Sequence, residues 1–94
     1  MSIKVVIEFQ ARPGQRATLK RSLEELSATY GPTAPGFLGS AVYETLDSPD
    51  GLVEIAEWGS PEAQKAAVEQ AMASGIYAPL LDLVATPFRA TRIG

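Results

Sequence analysis

The chain opens with a two-residue alternation of apolar and polar side chains and then changes to a helical repeat. Every second residue from Ile3 to Phe9 is apolar, and this period of two predicts a half-buried β-strand. Arg12-Pro13-Gly14 interrupts the pattern, as turn-forming residues do. From about Pro13 to Tyr30 the larger apolar residues fall on one stripe of a predicted helix: Leu19, Leu23, Leu26 and Tyr30.

Two further β segments and the turn between them predict a hairpin. Phe37 to Leu46 is rich in β-forming residues, and Gly39 within it indicates a bulge or a close approach of the backbone. Asp47-Ser48-Pro49-Asp50-Gly51 is typical of a turn, because Asp and Ser bond nearby backbone, Pro fixes φ and Gly accepts a positive φ. Leu52 to Trp58 is then the returning strand.

A second helical region follows the hairpin and is predicted in two pieces. Ser60-Pro61-Glu62 is typical of a helix start, with Ser as the cap, Pro in the first turn and an acid near the positive end of the dipole. This helix continues to about Ala73, and Ser74-Gly75 ends it. A shorter helical piece spans Ile76 to Val84, and Phe88 to Ile93 is the last strand.

The predicted element order is β-α-β-β-α-β, which is the ferredoxin-like arrangement of an α+β domain. It gives a four-stranded antiparallel sheet with helices on one face, and residues 1–94 make a single domain. A domain of this size has a marginal core. We therefore expect a second copy to cover the open sheet face through a two-fold contact, so that the protein is a homodimer.

Composition excludes several classes of function. The chain has no Cys and no His, which removes disulfides, iron–sulfur clusters held by Cys, and His-based nucleophilic sites. The acidic residues are not clustered, so no metal is expected.

The net charge of −3 and the pI of about 4.8 disfavour nucleic acid and anionic lipid as partners. No apolar run is long enough for a membrane span, and the first residues have a strand pattern rather than that of a signal peptide, so a cytoplasmic location is expected.

Four groups of residues, taken in their order and spacing, resemble one protein family. They are Arg12-Pro13-Gly14 after the first strand, Pro35-Gly36-Phe37-Leu38 before the second, Glu54-Ile55-Ala56-Glu57-Trp58 followed by Ser60-Pro61-Glu62-Ala63, and Ser74-Gly75-Ile76-Tyr77. Together they are similar to the antibiotic biosynthesis monooxygenases, and the resemblance covers essentially the whole chain.

This resemblance implies a dimeric α/β barrel with a pocket between the sheet and the helices of each subunit. Some members of that family oxidise aromatic polyketides with O₂ and no cofactor, whereas others bind and degrade haem. The chain has Ala67 and Ile76 where many relatives carry His. No axial His is available for haem, so we expect no haem binding and no cofactor.

The resemblance to the oxygenating members is partial at the site itself. Trp58 matches their Trp, whereas Glu54 stands where they carry Asn and Gln64 stands where they carry Tyr. Side chains alternate along a strand, so Glu54 shares a face with Trp58. If that face meets the helices, burial raises the pKa of Glu54, which suits a general base for a phenol or an acidic C–H. The alternative is a solvated carboxylate or a salt bridge to an Arg in a dimer.

The other candidate residues each have a structural alternative. Trp58 lines a pocket or packs in the core, and Gln64 donates a hydrogen bond to a ligand carbonyl or faces water. Four more residues are predicted to line the pocket: Tyr43, Tyr77, Phe37 and Met72. Packing in the core or in a dimer is the alternative for these four.

The functional hypothesis is a cofactor-independent monooxygenase that oxidises an aromatic or phenolic small molecule with O₂, with Glu54, Trp58 and Gln64 as catalytic residues. One alternative is a non-catalytic dimeric protein that binds small molecules or assists another enzyme. Another is a cofactor-free isomerase or cyclase that uses Glu54 as its base. Room for a bicyclic ligand beside Trp58 distinguishes the first alternative, and turnover without oxygen distinguishes the second.

Overall fold

A computed structural model describes residues 2–94, and its elements follow the predicted order. The strands and helices are β1 Ile3–Gln10, α1 Arg16–Tyr30, β2 Phe37–Glu44, β3 Gly51–Trp58, α2 Pro61–Ser74, α3 Ala78–Leu81 and β4 Arg89–Ile93. A short 3₁₀ turn, Gly31–Thr33, follows α1. Within residues 2–94, no helix has the length and apolar character needed to cross a membrane.

The four strands form one antiparallel sheet in the order β2-β3-β1-β4. The chain places β1 in the middle and returns to pair on either side of it, which is the ferredoxin-like split βαβ arrangement. The predicted fold class, an α+β ferredoxin-like domain with a four-stranded antiparallel sheet, is therefore confirmed. The dimeric part of that prediction remains a prediction.

The sheet has an inner face, which packs against the helices, and an outer face. Strand pairing sets Phe9 opposite Leu52 on the inner face, and both are buried in one cluster with Leu19 and Leu23 of α1. Leu80 of α3 joins the same cluster. In the predicted apolar stripe of α1, Leu19 and Leu23 are thus buried, Leu26 is half-buried, and the last residue, Tyr30, is exposed.

Some element boundaries differ from the predictions because local turns take residues from the ends. Helix α1 begins at Arg16 rather than near Pro13, since Gly14 adopts a left-handed φ of 79° in the preceding turn. The second helical piece is only one turn, Ala78–Leu81. The segment after it instead pairs with the end of β1 through a bridge between Val84 and Ala11.

The predicted start and end of α2 and the bulge in β2 are confirmed. The Ser60 hydroxyl accepts a hydrogen bond from the Ala63 backbone N–H at 3.1 Å, as a helix cap does. Gly75 ends the helix in the left-handed conformation. The register between β2 and β3 shifts between Phe37 and Gly39, and Gly39 has a φ of 141°, so the bulge occurs at a residue that tolerates this backbone.

Candidate functional site

Glu54 lies in the middle of β3, on the inner face of the sheet. Its direct neighbours across the sheet are Ile7 of β1 and Val42 of β2, and both pack against the buried core cluster. The carboxylate is therefore half-buried among apolar side chains. This desolvation raises the pKa of Glu54, which is the effect that the sequence predicts for a carboxylate on this face.

Two serine hydroxyls connect Glu54 to the neighbouring elements. The Ser27 hydroxyl of α1 donates to Oε2 of Glu54 at 3.4 Å, and the Ser40 hydroxyl of β2 donates to Oγ of Ser27 at 2.9 Å. Hydrogen bonds to a carboxylate favour its charged form, so both serines oppose the desolvation and lower the pKa of Glu54, although burial has the larger effect.

A cleft opens between α1 and β2 directly over these serines. Its volume is about 290 Å³, and its lining residues are Glu24, Ser27, Ala28, Phe37, Ser40 and Val42. Glu54 is not among them, so a molecule in the cleft meets the two hydroxyls before it meets the carboxylate. The volume is near the lower end of the roughly 300–1,000 Å³ typical of ligand sites.

Tyr77 follows α2 and is the second titratable group of this region. It is half-buried and packs against the core cluster. Burial raises the pKa of Tyr77, and the nearby negative charge of Glu54 raises it further. At neutral pH its phenol is therefore protonated and can donate a hydrogen bond.

Trp58 lies at the end of β3, on the same inner face as Glu54 but four residues along the strand, or about 13 Å away. Its ring contacts the ring of Phe37, with the centroids 5.1 Å apart and the planes at 67°. Phe37 lines the cleft and Trp58 does not. Phe37 therefore contacts Trp58 and also forms part of the cleft wall.

Of the residues predicted from the sequence, only Phe37 is among those that line the cleft. Tyr43 pairs with Val53 on the outer face and is 54% exposed, because the strand alternation that turns Val42 inward turns Tyr43 outward. Met72 lies on α2 with 69% of its surface exposed. The prediction that Tyr43, Tyr77, Phe37 and Met72 line one pocket is therefore corrected for this cleft, because Phe37 lines it and the other three do not. Gln64, in the first turn of α2, is half-buried and is not among the residues lining the cleft.

Ser27 and Ser40 are the site residues that sequence reasoning missed. Ser27 lies four residues after Leu23 and eight after Leu19, so it falls on the buried stripe of α1 as a polar interruption. Ser40 lies two residues before Val42 in β2 and therefore faces inward with it. The signal available in the sequence was a polar residue on an otherwise apolar stripe. Its hydrogen-bond partner could not be identified without the fold.

A second cavity, of about 350 Å³, lies where α3 leads into β4. Its lining is Leu81, Val84, Ala85, Thr86, Pro87 and Phe88. None of these side chains titrates, so the cavity offers apolar contact and one hydroxyl but no acid–base chemistry. Residues 2–94 also contain no group of three or more acidic side chains placed to hold a metal ion.

Comparison with known proteins adds a family and a set of structural relatives. The sequence model of the family described as "Antibiotic biosynthesis monooxygenase" matches residues 2–75. No curated protein sequence matches the chain.

Solved structures match over nearly the whole chain. A candidate antibiotic biosynthesis monooxygenase from Chloroflexus aurantiacus J-10-fl is 25% identical, with a TM-score of 0.77 over 100% of this chain and 93% of that one. A variant of SnoaB, a cofactor-independent oxygenase from Streptomyces nogalater, is 19% identical, with a TM-score of 0.82 over 99% and 91% of the two chains. Rv0793 from Mycobacterium tuberculosis is 21% identical, with a TM-score of 0.80 over 100% and 94%.

Proposed function

This chain belongs to the antibiotic biosynthesis monooxygenase family, and on that premise we propose that it is a cofactor-independent monooxygenase of an aromatic or phenolic small molecule. The observation that carries the proposal is the position of Glu54, a carboxylate with a raised pKa directly behind an open cleft. A raised pKa brings a carboxylate closer to the working pH of a general base.

The proposed reaction requires a base, a hydrogen-bond donor and a site that excludes water. Glu54 accepts a proton from the substrate, and the resulting electron-rich anion transfers one electron to O₂. The two radicals combine, and the peroxide then loses water to leave a carbonyl. An activated methylene thus loses two hydrogens and gains one oxygen, while the second oxygen leaves as water. The substrate supplies all the electrons, so no external reductant is needed.

Tyr77 is proposed as the donor to the oxygen on which charge develops. Its phenol is protonated at neutral pH and lies close enough to Glu54 to feel its charge, and a preorganised donor stabilises an oxyanion strongly in a dry site. Gln64 had this role in the sequence hypothesis. Trp58 acts in the proposal through Phe37, as a rigid support for one wall of the cleft.

We further propose that the protein works as a homodimer through the outer sheet face. The centre of that face is apolar: Val6 and Ala41 flank Ile55 across the sheet. Charged side chains lie towards its rim, where Lys4 forms a 3.9 Å ion pair with Glu57. An apolar centre with a polar rim is the usual composition of an interface, and a self-complementary face favours a two-fold contact with a second copy.

The proximity of Tyr77 to the charge of Glu54 also supports a second candidate function. A base and a nearby donor suffice to move a proton between two positions of an enolisable substrate, without oxygen. An isomerase or cyclase of this kind would turn over in the absence of O₂, whereas the monooxygenase would not.

The test is oxygen uptake with anthrone and with a substituted hydroquinone, together with substrate turnover measured in air and under anaerobic conditions. We expect uptake that falls at least a hundredfold in Glu54→Gln and several-fold in Trp58→Phe. The matched control is Glu69→Gln, which removes an exposed carboxylate from α2 and is expected to leave the rate unchanged. Full activity in Glu54→Gln contradicts the proposed base, and equal turnover under anaerobic conditions favours the isomerase.

A further inference from the structure

The orientation of the hydroxyls beside Glu54 restricts what the cleft can bind. An ionised carboxylate only accepts hydrogen bonds, so Ser27 must direct its single proton at Glu54. Having used that proton, Ser27 can only accept from Ser40. The proton of Ser40 is then also committed, and both serines present only lone pairs to the cleft that they line.

We propose that Ser40 and Ser27 form a two-hydroxyl relay between the cleft and Glu54, and that the cleft selects ligands carrying a hydrogen-bond donor such as a phenolic or enolic O–H. The ligand hydroxyl donates to Oγ of Ser40, which is the open end of the chain. The proton-transfer part of this inference rests on the proposed function, because it takes Glu54 as the base. The preference for a donor does not depend on any reaction.

Proton transfer along the relay is balanced, and it reverses the direction in which the hydroxyls donate. The ligand O–H bond breaks and its proton passes to Ser40, the proton of Ser40 passes to Ser27, and that of Ser27 passes to Glu54. Each serine ends neutral, Glu54 becomes a carboxylic acid and the ligand becomes an anion. The hydroxyls now point the other way, from Glu54 towards the cleft, so Ser40 donates to the new oxyanion and stabilises it.

Two other polar side chains near the relay favour the same class of ligand. Tyr77 lies close enough to Glu54 to be affected by its charge and is a protonated donor at neutral pH, and Glu24 lines the cleft as a second carboxylate. The negative charges of Glu24 and Glu54 would repel an anionic ligand, whereas they would not repel a neutral phenol or enol. We therefore expect phenols and enols to enter the cleft in their neutral form.

The test compares the binding of 1-naphthol with that of 1-methoxynaphthalene by titration calorimetry at neutral pH. The methyl ether has nearly the same shape but no donor, so the wild-type protein should prefer naphthol by about tenfold, the value of one hydrogen bond. Ser40→Ala should abolish most of that preference by weakening naphthol alone. Ser40→Thr retains a hydroxyl and should restore it.

Two further variants separate a relay from a general effect on folding. Ser22→Ala changes another half-buried serine of α1 that does not line the cleft, and it should behave as wild type. Ser27→Ala removes the hydroxyl that donates to Glu54, so the pH midpoint of naphthol binding should move upward, a change that loss of packing does not produce. Thermal melts of every variant establish that each one is folded.

The outcomes distinguish this inference from the proposed function. If wild type binds naphthol and its methyl ether equally, or if Ser40→Ala keeps the full preference, the relay is overturned. If the preference is lost in Ser40→Ala but no phenol supports oxygen uptake, the selective cleft stands and the monooxygenase proposal fails. If uptake is present in wild type and unchanged in Ser40→Ala and Ser27→Ala, the monooxygenase stands without the relay.

Discussion

The ring of Phe37 meets the ring of Trp58 nearly edge-on, with their centroids 5.1 Å apart. Such pairs contribute about 1 kcal/mol beyond the area that they bury. Gly31 also lies close to Phe37, since an added Cβ at Gly31 would lie 2.5 Å from the Phe37 ring. The position of this ring in the cleft wall therefore depends on both a tryptophan and a glycine.

Removing the Phe37 ring should expose Trp58 to the cleft. We expect Phe37→Ala to lower the free energy of unfolding by about 2 kcal/mol, less than for a fully buried Phe because the ring is half-buried. The fluorescence of Trp58, the one tryptophan of the chain, should shift to longer wavelength and become easier to quench with acrylamide. Phe37→Leu keeps most of the volume and should show a smaller change in both measurements. An unchanged spectrum in Phe37→Ala would mean that Phe37 does not shield Trp58.

Replacing Glu54 should make the protein more stable at neutral pH. The pKa of Glu54 is raised in the folded state above its ordinary value of 4.5, so between these two values the folded state binds more protons than the unfolded state. The free energy of unfolding therefore falls as the pH rises through that interval. The Glu54→Gln variant has no ionisable group at this position, so this fall in its free energy of unfolding does not occur. Its melting temperature should exceed that of wild type at pH 7, and the difference should vanish at about pH 3, where the carboxyl of wild type is protonated in both states.

The exposed Glu69→Gln variant is the control for the Glu54 prediction, and it should show no such pH-dependent difference. Gain of stability together with loss of oxygen uptake in Glu54→Gln would identify a carboxylate kept for function at a cost in stability. A variant that is less stable than wild type at pH 7 would contradict the assignment of desolvation as the dominant effect.

Gly36 should not tolerate even a methyl group. It has a left-handed φ of 87°, and a Cβ there would lie 2.7 Å from the Cβ of Ala63 in α2. We expect Gly36→Ala to cost about 2 kcal/mol or more, from backbone strain and overpacking together. Ala63→Gly removes the contact but not the strain. The double variant, measured by urea unfolding, should therefore recover about 1 kcal/mol relative to the sum of the two single changes. Strict additivity would show that the contact does not matter.

The proposed dimer predicts an effect at the centre of the outer face. Ile55→Lys introduces a charge between Val6 and Ala41 and should convert a dimer into a monomer in sedimentation velocity at micromolar concentration. Gln70→Lys adds the same charge on the exposed side of α2 and should leave the dimer intact. A wild-type protein that sediments as a monomer at this concentration would contradict the dimer.

Local sequence signals predicted most of the fold because each depends only on near neighbours. The alternation from Ile3 to Phe9, the Ser60 cap and the glycine at position 75 each specify backbone conformation within a few residues, and each is confirmed. The period of the strand also predicted that Glu54 shares a face with Trp58, but only the fold decided that this face meets the helices and that burial raises the pKa of Glu54. The boundaries of α1 and α3 were less predictable, because competing turns decide where a helix begins and ends.

The tertiary structure alone decided how the site is assembled. The hydroxyl chain joins Ser27, Ser40 and Glu54 from three elements, and only the packing of α1 over β2 and β3 brings them within hydrogen-bond distance. The bulge near Gly39 sets the register that turns Ser40 inward, and the same alternation sends Tyr43 to the opposite face. Sequence periodicity fixes which side of its own element a residue occupies. Which elements then face one another depends on packing over long chain separations, and a local pattern carries no information about that.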